Sequence, residues 1–299
     1  MSKKLNFIIL TVIVIISLIC SAEYTFIEST NYSIDTGDTA WMIVASAFVL
    51  LMTPGLAFFY VGLVNRKNVI STMLQSFVAL GVISVLWVFI GFSLAFGESY
   101  HGIIGNPFTY FNFNNVTLSP NPDFSSTIPF LIFALFQLKF AIIAPALITG
   151  SFAERIRFRS YILIMILFSL FIYCPLAHMT WHPEGLLRNW GVLDFAGGTV
   201  VHLSAGLAAL AGAIYLGKRK KMIEEPANIP FVILGTGLLW FGWFGFNAGS
   251  ALGANIDAVI AFANTNLASA TSMITWIFLD PMLNKKMSAI GACIGAIVG

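Results

Sequence analysis

Seven stretches of this chain, at residues 39–64, 70–96, 129–152, 159–181, 198–217, 231–252 and 258–279, are dominated by apolar side chains. They hold no Asp or Glu, and apart from Arg159 at one edge their only Lys or Arg is Lys139. Each is long enough, at about 1.5 Å per residue, to cross about 30 Å of hydrocarbon as a helix. A water-soluble core has no room for so many runs of that length. Only 9% of the 299 residues are charged, against about 25% in a soluble domain. In lipid every backbone N–H and C=O must be satisfied internally, and runs of this length do so as helices. The reading is an all-α polytopic membrane protein. A further apolar run begins near Ser288 and reaches Gly299.

The loops between the runs alternate in charge. One set carries Arg66, Lys67, Arg155, Arg157, Arg159, Lys218, Arg219, Lys220, Lys221, Lys285 and Lys286, eleven of the fifteen basic residues. The opposite set, at 97–128, 182–197 and 253–257, carries Arg188 alone. By the positive-inside rule the basic loops are cytoplasmic and the mature N-terminus is outside, as expected of a multi-pass protein of the cell membrane. The opening "MSKKLNFIILTVIVIISLICSAEY" agrees, because two lysines before a short apolar stretch and small residues read as a signal peptide over 1–22. An uncleaved signal anchor is the alternative. Bulky Ile19 argues against Cys20 as a lipoprotein cysteine. Asn31 and Asn115 head N-x-S/T motifs on the outer side, a weak pattern by itself.

Several function classes drop out. A net charge of +2 implies no nucleic-acid partner. The three cysteines, Cys20, Cys174 and Cys293, have no paired spacing, so neither a disulfide framework nor a metal site is expected. No Gly-rich nucleotide loop calls for a cofactor. His178 and His182 form H-x-x-x-H, a spacing that suits zinc on a helix. The glutamate of H-E-x-x-H is missing and Pro183 ends the turn, so the pair is read as structural. His101 falls in an outer loop and is read as inert.

The segment "LDFAGGTVVHLSAG" at 193–206 is where polar chemistry enters the oil. Asp194 stands at the outer entrance of the fifth run, where an aspartate caps orphan N–H groups and meets the positive end of the helix dipole. His202 lies about 12 Å deeper, near the bilayer midplane, and an ionisable group at that depth reads as functional. On the sixth run Ser250 marks the outer end, with Phe246 one turn beneath on the same face. On the third, Phe136 and Phe140 share a face at descending depth. Trp181 closes the outer end of the fourth. These residues form layers: an aromatic and hydroxyl rim, phenyl rings below, an imidazole at the bottom. The rim suits a small cation through cation–π attraction, whereas a bare cation is strongly penalised among the phenyl rings. A neutral imidazole donates and accepts hydrogen bonds, so it can hold a neutral amine or relay its proton. Trp181 as a membrane-interface anchor and the phenylalanines as plain packing are the alternatives.

At these residues the chain resembles the ammonium transporter family (Amt/Mep, with Rh proteins as distant relatives). The resemblance rests on "DFAGGTVVH", "AGLAAL" and "YLGKR" within 194–219, on "GWFGFNAGSA" at 242–251, "AERIRF" at 153–158, "AHMTW" at 177–181 and "TPGLAFFYVGLV" at 53–64. It covers about residues 38–299, and Trp181 favours Amt/Mep over Rh. The resemblance implies the ammonium-transporter fold, with inverted five-helix repeats, and a homotrimer with one pore per subunit. It implies nitrogen uptake by ammonium or ammonia transport and a cytoplasmic PII-type regulator as partner. It assigns Trp181, Ser250 and Phe140 to ammonium recruitment, Phe140 and Phe246 to a phenyl gate approached past Phe136, Asp194 to organising the entrance, and His202 to the pore.

Two features depart from the pattern. The family's second pore histidine and spans nine to eleven would fall beyond residue 299, so 23–299 reads as a transmembrane domain truncated within its eighth span, the second repeat incomplete. Lys139, beside the gate phenylalanine, must point about 100° away from it and has no evident partner. Besides transport, an ammonium-binding membrane sensor and a non-conducting truncated subunit remain open. An intramembrane enzyme would need a nucleophile or metal set that His202 alone does not supply.

Overall fold

In the computed structural model the described residues are 33–219, 226–283 and 286–299, with Thr11 and Ile15. Apart from those two positions the expected signal peptide at 1–22 lies outside them, as do Asn31, Lys220, Lys221 and Lys285. Among the described residues six helices are long and apolar enough to cross a membrane: α1 (Thr36–Leu63), α2 (Arg66–Phe96), α3 (Phe130–Phe152), α4 (Phe158–Asn189), α5 (Gly198–Leu216) and α6 (Ile229–Ala248). They match the first six expected runs to within a few residues, except that α4 continues past a break after Trp181, where His182 adopts extended backbone. The seventh run is a continuous helix too, α7 (Ile256–Met282), but a less apolar one. Asn264, Thr265, Asn266, Ser269, Thr271 and Ser272 interrupt it, and Thr265 and Ser269, one turn apart, are buried. A short apolar helix, α8 (Ala289–Val298), packs against α7.

The central seam is α1 against α6. Gly55 and Gly62 on α1 and Gly235 and Gly242 on α6 let the backbones touch, as small residues do between membrane helices. A Cβ on Gly55 would sit 2.8 Å from the Leu238 Cβ, and one on Gly235 would run into the Phe59 backbone. The register is antiparallel with a seven-residue step: Gly235 faces Phe59, Gly242 faces Met52, and Gly249 faces Ala45. α1 also packs on α3, so one helix sets the height of two others.

On the face opposite the basic loops, residues 97–129 form a cap that includes a small hairpin, β1 (Ser99–Tyr100) with β2 (Ile104–Gly105). Beneath it Trp87, Phe92, Phe96, Phe124, Phe130 and Phe133 pack ring against ring, and the Trp87 indole N–H donates to the Ala134 carbonyl at 3.1 Å. On the basic side Glu154, at φ +68, gathers three loops. Its Oε1 accepts from the Asn65 N–H (2.9 Å) and Asn68 Nδ2 (2.8 Å), and its Oε2 from Arg219 Nη1 (3.0 Å).

Four of the helices contain a π-helical turn: Trp87–Gly91 in α2, Ser169–Tyr173 in α4, Gly198–Leu203 in α5 and Phe244–Ala248 in α6. Such turns concentrate at functional sites. The last two carry His202 and Phe246.

Candidate functional site

Asp194 ends the loop before α5 and points its carboxylate back at the helix. Oδ1 accepts from the N–H groups of Gly197 (2.6 Å) and Gly198 (2.8 Å), and Oδ2 from those of Thr199 (2.9 Å) and Val200 (3.0 Å). A helix start leaves four N–H groups orphaned, and one carboxylate has about four acceptor positions. Here the two sets match. The turn requires Gly197 at φ +85, a left-handed conformation that glycine enters without strain. The expected cap is therefore a complete one, and a carboxylate saturated by N–H groups has nothing left for a cation.

The same loop fixes the rim. The Trp181 indole N–H donates to the Asp194 main-chain carbonyl at 3.1 Å, and Arg188 Nη1 donates to the Trp181 carbonyl at 2.9 Å. The Trp181 ring meets Phe140 edge to face, with centroids 6.0 Å apart. Phe140 lies over Phe246 at 4.1 Å and 32°, with Phe136 at 4.9 Å on its other side. Phe136, Phe140 and Phe246 are buried. Beyond Phe246 comes His202, ring to ring at 5.7 Å. Ser250 Oγ donates to the Phe246 carbonyl at 2.8 Å, which leaves its lone pairs unused.

Two cavities flank the phenyl pair. The vestibule, about 360 Å³, is lined by Phe136, Phe140, Trp181, Asp194 and Ser250, and also by Asp123, Phe124, Gln137 and Arg188. The chamber, about 670 Å³, is lined by His202, Asp194, Thr199, Trp243, Asn247, Thr265 and Ser269, among others. Phe140 faces the first, and Phe246 touches the imidazole that faces the second. All seven residues singled out in the sequence are thus brought together, in the order expected.

Sequence reasoning missed several lining groups. Gln137 is the lone carboxamide of the α3 span, a signal that was available and unread. Asn247 donates through Nδ2 to Thr265 Oγ1 at 2.8 Å, tying α6 to α7 at the chamber wall. Phe124 carried no signal at all among 28 phenylalanines. Near the vestibule wall, burial first and the Asp123 carboxylate next raise the Tyr110 phenol above its ordinary pKa, while a hydrogen bond with Asn121 works the other way.

His178 and His182 stack face to face, with centroids 4.4 Å apart. The Ala95 carbonyl can only accept, so His178 Nδ1 donates to it (3.1 Å), and Nε2 then accepts from the Ser99 hydroxyl (2.8 Å). His182 Nδ1 accepts from the Glu184 N–H at 3.1 Å. Three of the four ring nitrogens are engaged, and the pair clasps the cap to α4. Lys139 is half-buried, lines neither cavity and makes no hydrogen bond or ion pair with the described residues.

Known proteins are similar to this chain in sequence and in fold. The sequence profile of the Ammonium Transporter Family matches residues 40–299. The chain is 47% identical over 285 residues to an ammonium transporter of Aquifex aeolicus, covering 95% of this chain and 66% of that protein. It is 45% identical over 264 residues to an ammonium transporter of Bacillus subtilis, covering 88% and 64%. The crystal structure of Saccharomyces cerevisiae Mep2 superposes with a TM-score of 0.81 at 38% identity, covering 88% of this chain and 59% of that one. A structure described as a Sensor Amt Protein superposes with a TM-score of 0.77 at 31% identity, covering 88% and 71%. The chain spans just under two thirds of the length of the transporters it matches.

Proposed function

The chain belongs to the Ammonium Transporter Family, relatives in which are named as ammonium transporters, and we propose that it is a multi-pass membrane protein that moves ammonium as ammonia past a phenyl gate. The observation that carries this reading is the unbroken series Trp181, Phe140, Phe246, His202, with neighbouring ring centroids 6.0, 4.1 and 5.7 Å apart.

Ammonium is taken up in the vestibule. The ring faces of Trp181 and Phe140 attract the cation, and Ser250 Oγ accepts one of its N–H groups. Asp194 contributes by holding: its carboxylate forms the turn and its carbonyl orients Trp181. The cation cannot go further intact, because no polar partner stands between Phe140 and Phe246 and an unsolvated charge there costs far more than binding returns. Transfer of one proton to solvent water on the vestibule side turns it into neutral ammonia, which crosses the phenyl pair and meets His202. The imidazole, with no hydrogen bond to the described residues, is available to donate to or accept from the arriving amine.

The proposal extends to orientation and assembly: vestibule and mature N-terminus outside, residues 1–22 as a signal peptide, basic loops inside, a homotrimer as the assembled form, and a PII-type protein as the regulator meeting the basic face. A sensor that binds ammonium without net flux is the second reading, favoured by the likeness to the Sensor Amt Protein. Uptake of labelled methylammonium into cells lacking ammonium transporters decides between the two. Transport predicts uptake that His202→Ala abolishes or strongly reduces with assembly intact. Unchanged uptake kinetics in that variant would remove His202 from the pathway, and binding without any uptake would favour the sensor.

A further inference from the structure

Building on the reading of the vestibule as an ammonium site, we propose that Gln137 is a further substrate-binding residue, its carboxamide oxygen accepting one N–H of the bound cation. Gln137 follows Phe136 on α3, and its side chain lines the vestibule together with Phe140, Trp181 and Ser250. It is only 8% exposed. Its Oε1 is buried without a hydrogen-bond partner, and the amide makes no hydrogen bond to the described residues. Folded proteins rarely leave a buried amide oxygen unmatched. One beside a cavity that receives a hydrogen-bond donor is matched when the donor arrives.

The shortage of other acceptors strengthens the assignment. Asp194 has all its carboxylate positions filled by N–H groups. Asp123 belongs to the exposed cap. The Asp194 main-chain carbonyl already accepts from Trp181. Ser250 offers lone pairs from the α6 side, and Gln137 supplies the directed acceptor from the α3 side. An ammonium ion carries four N–H groups, and ring faces satisfy charge better than they satisfy directed donors. Turning the amide about its last side-chain bond exchanges oxygen and nitrogen, so the oxygen reaches the cavity with no shift of the helix. Potassium has no N–H to give and is held by a shell of several oxygens. A single directed acceptor therefore serves ammonium better than potassium.

The test compares Gln137→Met, which keeps length and volume but removes the oxygen, with Gln137→Glu, which keeps an oxygen acceptor. Labelled methylammonium is the probe, in equilibrium binding to the purified protein and in uptake by cells, with ammonium and potassium as competitors. Gln137→Met is expected to weaken binding about tenfold, the scale of one hydrogen bond to a charged group. Maximal uptake should stay within about twofold, since the lost contact belongs to binding. Potassium should compete relatively better, and Gln137→Glu should bind at least as tightly as the parent. Unaltered binding in Gln137→Met overturns the proposal, and so does an equal loss in both variants, which marks a packing position. A parent protein that neither binds nor transports overturns the vestibule reading and Gln137 with it. A parent that binds without transporting overturns transport alone, and the binding comparison still decides Gln137.

Discussion

Asp194 at the vestibule end and Glu154 on the basic side each gather several hydrogen bonds on one carboxylate, and they do so in opposite ways. Asp194 takes four N–H groups, all from residues three to six positions ahead of it. Glu154 takes three donors from Asn65, Asn68 and Arg219, which lie 89, 86 and 65 positions away. The first builds one turn and orients one indole. The second builds nothing by itself but ties three loops into one face. A local saturated cap is a unit that fails as a whole, whereas a long-range clasp weakens contact by contact.

The largest expected effect comes from removing the cap. Asp194→Ala orphans four N–H groups at once and loosens the turn that presents the main-chain carbonyl to Trp181, and should cost about 3 kcal/mol or more together with nearly all uptake. Thermal unfolding in detergent and methylammonium uptake read the two losses, and a protein that unfolds at the parent temperature would show the cap to be replaceable by water. Next, Trp181→Leu should leave unfolding nearly unchanged while uptake at low substrate falls and other monovalent cations compete more easily. Unaltered selectivity would reduce Trp181 to an interfacial anchor. At the other end, Glu154→Ala should cost about 2 kcal/mol, since Arg219 and two amide donors lose their acceptor together. Glu154→Gln keeps an amide oxygen for Asn65 and Asn68 and should cost about 1 kcal/mol or less, the range of a partly exposed ion pair. A double-mutant cycle of Glu154→Gln with Arg219→Ala isolates that smallest term, and a coupling near zero would mean that Arg219 only rests on the clasp.

The same contrast explains what the sequence disclosed. The first six spans were legible within a few residues because apolar length is a local property. So was the cap of Asp194, which acts within six residues of chain. The layering of rim, phenylalanines and imidazole could be read because depth along a helix follows from counting, whereas the order of Phe140 and Phe246 within the phenyl layer could not. The Glu154 clasp was not, since no local pattern joins Asn65 to Arg219. Nor was the bonding of His178 to Ala95 and Ser99, where a zinc-like spacing gave a competing signal. Gln137 gives a weak signal, because a single carboxamide beside Phe136 fits a helix–helix contact as well as a cavity wall. The four π turns had no sequence signature, although two of them aim the residues that matter.

The seam between α1 and α6 bears on the gate in a way that its glycines alone do not reveal. Phe140 stands on α3 and Phe246 on α6, and α1 lies against both. Near the rim the three meet at Gly249, whose added Cβ would strike Ala45 of α1 and the Phe136 ring of α3. Glycines stepping every seven residues act as detents, because only one vertical setting of α6 lets every backbone contact close. A slip of a single residue is about 1.5 Å, a large fraction of the 4.1 Å between the phenyl rings. The seam is therefore a gauge block: it sets the clearance of a phenyl pair it does not touch, and a methyl group added there would alter the proposed gate from behind.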